Sequence, residues 1–458
     1  MRSSPLLAVP VLVLGALPAP AQNCSNVSVG FVPLNDLGDG QHKGETGGLY
    51  PGGRNHRPLF HDASGLAQAS QVVPRNAQGQ PDPDGSIVLL SIGMSNTSQE
   101  WTRFQQDAQA DPAVNPALVI VNGAQGGQPI QAIVDPAAPY WDVVDQRLAQ
   151  AGVTPAQVQA VWLKQAYSGP TDPFPLWAEA MRDDLITIVG TIRAEYPNAR
   201  LLYASSRIYA GYATTALNPE PWAYESGFGV KWLIEEQIDG NPALAFTPGG
   251  GQPPQAPWMA WGPYLWADGL VPRSDGLVWE CADLSADGTH PSPLGAQKVA
   301  GMLADFFETD ATAKTWYLAN PTPVCPNQAL YLKYGPEHGG PNGAVQLTAS
   351  TLPTVPSAQP FVAHAFGGPP LSNGAFVLGL APLPVGTVPL FGGFLLVDPL
   401  QVFPRPTSPN GQANLDLGPI PLNLGWCGAE VFLQYGVADP DTPGGFDLSR
   451  GLRVRVGH

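Results

Sequence analysis

The sequence predicts an α/β domain built on a parallel sheet, in the flavodoxin-like three-layer arrangement, followed by a small all-β sandwich. Three observations carry that prediction. Short, largely apolar runs recur at residues 87–92, 117–121, 158–163 and 201–204, the pattern of strands buried on both faces. Segments with helical periodicity lie between them, and strands alternating with helices imply a parallel sheet covered on both sides. After Leu318 the pattern changes. Prolines at 321, 323 and 326 lead into short runs with strict alternation and no helix-length period. Val345 and Leu347 flank Gln346, Ala413, Leu415 and Leu417 alternate with Asn414 and Asp416, and Leu452, Val454 and Val456 alternate with Arg453 and Arg455. Such runs, cut by Gly and Pro turns, read as sandwich strands.

Taken in order, residues 1–21 carry the marks of a secretory signal. Arg2 supplies the positive start, residues 5–17 an apolar run too short to span a bilayer, and Ala19-Pro20-Ala21 a small-residue cleavage site. Asn23 before Cys24 does not fit a lipoprotein cleavage box, and no later stretch is apolar enough to span a membrane. The mature chain is therefore expected outside the cytoplasm, secreted, periplasmic or at the cell surface. Residues 22–85 hold no period and read as an extended segment wrapping the domain, with His56 and His61 read as surface loop histidines, the alternative being that they border a pocket. The α/β domain is expected over residues 22–318, with an aromatic-rich insert at 203–266. A linker at 319–326 and the β domain at 327–458 complete the chain.

The strand ends hold the chemistry-bearing residues, where open α/β sheets place their sites. Residues 87–92 end in Gly93-Met94-Ser95-Asn96, and the helix that follows has Trp101, Phe104 and Ala108 on one side. Residues 117–121 end in Asn122-Gly123-Ala124-Gln125-Gly126-Gly127. Residues 158–163 end in Lys164-Gln165-Ala166-Tyr167, before a long helix with Trp177, Met181, Leu185, Ile188 and Ile192 in phase. Residues 201–204 end in Ser205-Ser206-Arg207.

Composition narrows the function classes. The formal charge of −16 argues against nucleic-acid binding, which needs a basic face. Four cysteines in an exported chain suggest two disulfides, with three connectivities open. Cys24–Cys281 and Cys325–Cys427 are the expected pairs, one per domain. None of the four sits in a C-x-x-C pair, so a structural zinc site is not expected.

Asp287 and His290 stand three positions apart on a loop that runs into a helix, with Ser292 as N-cap and Pro293 at the first helical position. A carboxylate so placed can accept the imidazole Nδ1–H, fix its tautomer and stabilise the imidazolium. Ser95 lies where a buried strand turns into a helix, which exposes its Oγ at the sheet edge and brings its N–H to a helix N-terminus. Ser95, His290 and Asp287 are thus candidates for nucleophile, base and orienting acid. The N–H groups of Ser95 and Gly127 and the side-chain amide of Gln165 are candidates for an oxyanion hole. Asn96, Lys164, Tyr167, Arg207 and Tyr209 are candidate substrate contacts, with Arg207 and Lys164 either binding an acidic substituent or paired structurally. The G-x-S-x-G elbow of α/β-hydrolases is absent.

The ordered set resembles the SGNH, or GDSL-like, hydrolases over about residues 86–310. Gly93-Met94-Ser95-Asn96 looks like the nucleophile block, Asn122 to Gly127 like the second block, and Asp287-Gly288-Thr289-His290-Pro291 like the last. Trp162-Leu163-Lys164-Gln165 stands where the family has Gly-x-Asn-Asp. That is closer to the sialate O-acetylesterase and acetylxylan esterase branch, and it makes Gln165 the replacement for the missing Asn. The resemblance implies a serine esterase acting through an acyl-enzyme without metal or cofactor, on O-acetyl groups of a carbohydrate. A GDSL-like lipase or arylesterase, or a non-catalytic sugar-binding or adhesive surface protein on a hydrolase scaffold, are the rivals. The insert's aromatics, among them Tyr203, Trp222, Trp232, Trp258 and Trp266, read equally as sugar platforms and as a core of their own.

Overall fold

The computed structural model describes residues 22–247, 252–321, 329–341, 343–349, 351–354, 360–419 and 427–457. The signal-like segment 1–21, residues 322–326 of the expected linker, and Cys325 with its expected bond to Cys427 lie outside the described residues. The chain divides into two compact units. One comprises residues 22–57 with Val72–Thr309, the other Pro58–Gln71 with the described residues from Asp310 onward.

The first unit is built on five strands: β1 (Ile87–Gly93), β2 (Leu118–Asn122), β3 (Val158–Lys164), β4 (Leu201–Ser205) and β5 (Trp258–Trp261). They pair in parallel throughout, in the order β2-β1-β3-β4-β5. Every residue of β1, β3, β4 and β5 is buried, which is why these runs are apolar without alternation. The order reverses between β1 and β3, and the crevice outside that switch point is where such sheets bind ligands.

Helices α1 (Ser95–Ala110), α2 (Pro139–Gln150), α3 (Leu176–Glu195), α4 (Trp222–Ile238) and α5 (Pro293–Thr309) complete the unit. Helix α1 packs on α5 and α3 packs on α4. The apolar side of α1 makes the first contact: Trp101 stacks on Trp162 of β3 at 5.2 Å, and Phe104 meets Phe307 of α5 at 5.5 Å. Each such fully buried side chain contributes about 1.5–3 kcal/mol, so this face fixes where α1 begins relative to the sheet. Ser292 caps α5 as its sequence position suggested, accepting from the N–H groups of Leu294 and Gly295.

Three readings change here. The sheet has a fifth strand, β5, inside the aromatic-rich insert. Of the two readings left open for the insert's aromatics, most take the core one, while Trp222 and Trp232 are half-buried. Tyr203, Tyr209, Tyr212, Tyr224, Trp258 and Trp266 are each at most 1% exposed. They close on one another, Tyr224 lying 4.7 Å from Trp266 and Tyr209 5.1 Å from Tyr212. His61 is also buried, on a helix at Leu59–Ala69, and is not a surface loop residue. Part of the wrapping segment is anchored by a Cys24–Cys281 disulfide with a Cα–Cα distance of 5.3 Å. Asp268 adds to it by accepting from Ser28, Val29 and Gly30.

The second unit holds antiparallel strands: β6 (Leu330–Tyr334), β7 (Gln346–Ala349), β8 (Pro360–Phe366), β9 (Gly374–Gly379), β10 (Gln401–Pro404), β11 (Ala413–Pro419), β12 (Glu430–Ala438), β13 (Phe446–Leu448) and β14 (Gly451–Arg455). One sheet runs β11-β8-β7 and the other β10-β9-β12-β14-β6, with β13 beside β12. Leu347, Phe361, Leu415, Phe376, Leu433 and Leu452 of the two sheets share one apolar core. The alternation seen in sequence is that core's inward face, except that Leu417 is exposed. No helix among the described residues is long and apolar enough to cross a membrane.

Candidate active site

The sequence elements that end β1, β2, β3 and β4 converge with the Asp287 loop at the carboxyl edge of the sheet. Strand β1 is followed at once by α1. Met94 is extended at the helix entry and its side chain provides no cap. The first-turn N–H groups of α1, that of Ser95 included, therefore lack an intrahelical acceptor and carry the positive end of the helix dipole. The 285–291 loop is closed on itself: Ser285 N–H donates to His290 O, Gly288 N–H donates to Ser285 O, and Ser285 Oγ–H donates to Pro291 O. Gly288 has φ of +63°, and a Cβ there would meet Tyr212 O at 2.1 Å, so glycine is required at this approach.

His290 Nδ1 lies 2.5 Å from Asp287 Oδ2, and His290 Nε2 lies 2.8 Å from Ser95 Oγ. With a carboxylate on its Nδ1 side, the neutral ring carries its proton there, and Nε2 is left to accept from the Ser95 hydroxyl. Asp287 Oδ1 accepts from the backbone N–H groups of Thr289 and His290. Burial pushes the Asp287 carboxyl up, but these hydrogen bonds outweigh it and hold the group below its usual range. The relay opens into a cavity of about 360 Å³ lined by Met94, Ser95, Asn96, Gly127, Gln128, Pro129, Ala166, Tyr167, Ser168, Arg207, Leu217, Asn218, Thr289 and His290. Gly127 lies on its wall with φ of +71°, and a Cβ on the preceding Gly126 would sit 4.0 Å from Ser95 Cβ.

Of the other sequence candidates, Asn96, Tyr167 and Arg207 line the cavity. Asn96 Nδ2 donates to Thr289 O at 2.9 Å, Tyr167 O–H donates to Asp184 at 2.6 Å, and Arg207 is 1% exposed. Three candidates are corrected. Gln165 is not on the cavity wall. It is 1% exposed, its Nε2 donates to Gln128 O at 2.9 Å, and its Oε1 accepts from Ala166 N–H. The Gln165 amide thus braces the loop beside Gly127. Lys164 is fully buried, with Nζ at 2.5 and 2.6 Å from the two carboxylate oxygens of Glu100. Burial draws the ammonium down to about 8 against the pull of Glu100, and the pair holds α1 to β3. Tyr209 is core, its hydroxyl donating to Asn26 O.

Sequence reasoning missed Gln128, Pro129, Ser168, Leu217, Asn218 and Thr289 on the wall. Asn218 bridges Arg207 and the Tyr167 carbonyl, accepting from Arg207 Nε and donating from Nδ2. It comes from an irregular stretch after β4 that has no periodic pattern. Thr289 alone had a signal, lying between the two residues of the Asp-x-x-His pair. No group of three or more His, Cys, Asp or Glu among the described residues could hold a metal ion.

No family model and no curated protein matches the chain. Among solved structures it is similar to the periplasmic domain of the Salmonella ser. Paratyphi A lipopolysaccharide acetyltransferase. Identity there is 12% over 54% of this chain and 94% of that chain, with a TM-score of 0.28. It is similar to a Cellulomonas fimi endo-beta-1,4-mannanase double mutant at 11% identity, over 79% of this chain and 58% of that chain, with a TM-score of 0.19. At these values neither likeness establishes a shared fold or activity.

Proposed function

We propose that the protein is a secreted serine ester hydrolase of the SGNH type, removing O-acetyl or similarly short acyl groups from a carbohydrate. The observation that carries the reading is the continuous relay from Ser95 Oγ through His290 to Asp287, at 2.8 and 2.5 Å, opening into a cavity at the sheet's switch point. Ser95 attacks the ester carbonyl while His290 Nε2 takes the hydroxyl proton. The tetrahedral oxyanion is held by the N–H groups of Ser95 and Gly127. His290 returns the proton to the departing alcohol, leaving Ser95 acylated. A water molecule, deprotonated by the same nitrogen, then attacks the acyl-enzyme and releases the acid. Asp287 keeps its charge throughout and balances the imidazolium.

A cavity of about 360 Å³ has room for a short acyl group beside part of the alcohol portion. The Cys24–Cys281 disulfide supports an oxidising compartment. The β domain at 327–458 is an accessory module on this reading. Hydrolysis of p-nitrophenyl acetate tests the proposal. Ser95→Ala should lower kcat by about 10⁴-fold or more with an unchanged melting temperature. A variant that keeps more than a few per cent of the activity rules out Ser95 as nucleophile.

A further inference from the structure

We propose that Asn96 and Arg207 are positioning residues that hold the His290 ring against Ser95 through one shared acceptor, the carbonyl of Thr289. The inference rests on the esterase reading and assigns roles that the relay itself does not define.

Asn96 follows Ser95 directly in the first turn of α1. Its Nδ2 donates to Thr289 O at 2.9 Å, across 193 positions of sequence. Arg207, after β4, donates from Nη2 to the same oxygen at 3.2 Å. Thr289 precedes His290, so this oxygen belongs to the peptide unit whose N–H is that of His290. That N–H donates to Asp287 Oδ1 at 3.0 Å. Both ends of one peptide plane are therefore fixed. One end is tied to the nucleophile's own helix and to β4, the other to the relay's carboxylate. The orientation of that plane sets the direction in which the His290 side chain leaves the backbone.

The clamp is dry. Asn96 and Arg207 are each 1% exposed and Thr289 is 2% exposed. Losing either donor leaves the Thr289 carbonyl with one bond, and the second donor cannot by itself restore the geometry of two. Arg207 is itself held by Asn218 Oδ1, so its guanidinium cannot swing away. The helix that delivers Ser95 thereby also sets the base. A relay assembled from loops far apart in sequence needs such a tie, because about 1 Å of misplacement costs about 10²-fold in rate.

The test uses the full chain and p-nitrophenyl acetate. Asn96→Ala should lower kcat by about 10–10²-fold with KM within about threefold, because the clamp orients the base and does not bind substrate. Asn96→Asp supplies the specific readout. As a carboxylate the new side chain repels Thr289 O; protonated, it donates to that oxygen as the amide does. The variant-to-wild-type ratio of kcat should therefore rise at least about tenfold from pH 9 to pH 5.5. Arg207 shares this acceptor and Asp287 and His290 lie on the same loop, so a carboxylate at 96 perturbs their ionisation in the variant alone, and the ratio is read against that of the uncharged Asn96→Ala. A kcat for Asn96→Ala within threefold of wild type, or a flat ratio for Asn96→Asp, overturns the inference. If Asn96→Ala does not fold, the Asn96→Asp ratio decides alone. A wild-type protein inactive on the ester defeats the esterase reading instead, so the two failures are distinct.

Discussion

The Glu100–Lys164 pair lies behind Ser95 and offers a quantitative test of how the candidate site is supported. Glu100 is on α1 and Lys164 ends β3; both side chains are 0% exposed. Removing one partner of a buried pair costs about 3–5 kcal/mol, while replacing both by apolar groups of similar volume is neutral or stabilising. Lys164→Met leaves the Glu100 carboxyl alone in a dry site. Burial already pushes that carboxyl up, and Lys164 is the largest influence holding it down, so the substitution lets it rise further. The sign follows from linkage. An acid whose folded pKa is raised keeps its proton in the folded state at a pH where the unfolded chain has released it. The deficit is small near the unfolded value of about 4.3 and grows as pH rises towards the folded value. At roughly 2–4 °C per kcal/mol, Lys164→Met should melt about 6–20 °C below wild type at pH 8. About half of that gap or more should close at pH 5. The assay is thermal unfolding of both proteins at both pH values, followed by near-ultraviolet circular dichroism of the stacked Trp101 and Trp162. A gap that does not change with pH refutes the reasoning. So does a Glu100→Leu/Lys164→Met double variant no more stable than Lys164→Met.

Two further outcomes follow from the same geometry. Gly127→Ala and Gly288→Ala both place a side chain at positive φ, but a Cβ at 127 meets nothing within 4 Å while one at 288 meets Tyr212 O at 2.1 Å. Gly127→Ala should cost about 1 kcal/mol and Gly288→Ala clearly more, with the relay displaced and activity lost; equal melting temperatures would contradict this. Gln165→Ala should lower stability by about 1–3 kcal/mol with kcat within about tenfold, because the lost bond braces the Gln128 loop. A loss of about 10²-fold with an unchanged melting temperature would mean that Gln165 donates to the oxyanion after all.

Much of the first unit was legible because strands buried on both faces must be continuously apolar. Strands β1 to β4 lie within one residue of the runs read in the sequence. Helix α5 starts at Pro293 with Ser292 as its cap, because capping is a local interaction. Strand β5 was hidden for a related reason. Its four residues, Trp258–Trp261, are too short a run to separate from the aromatics around it. The helix at Leu59–Ala69 was hidden because Gly65 and His61 stand on its buried side, where an apolar pattern was sought.

Gln165, Lys164 and Tyr209 are not on the cavity wall, and of the two readings given for Lys164 the structure takes the paired one. Residue order places a side chain at a strand end, but not the direction in which it points. Lys164 ends β3 beside Gly93, as Ser95's neighbourhood required, yet it turns inward because Glu100 lies one turn of α1 beyond Asn96 and gives it a partner out of water.

By itself the sequence determined the alternation of strands and helices, the alternating strands of the second unit, and the residue types gathered at the strand ends. These follow from period and local capping, which act over a few residues. Only the tertiary structure decided that Ser95 and His290 stand 2.8 Å apart, that Asn96 and Arg207 meet at Thr289 O, and that most aromatics of 203–266 fill a core. Those contacts join residues up to 195 positions apart. Their geometry is set by how helices pack on the sheet, and no local pattern records it.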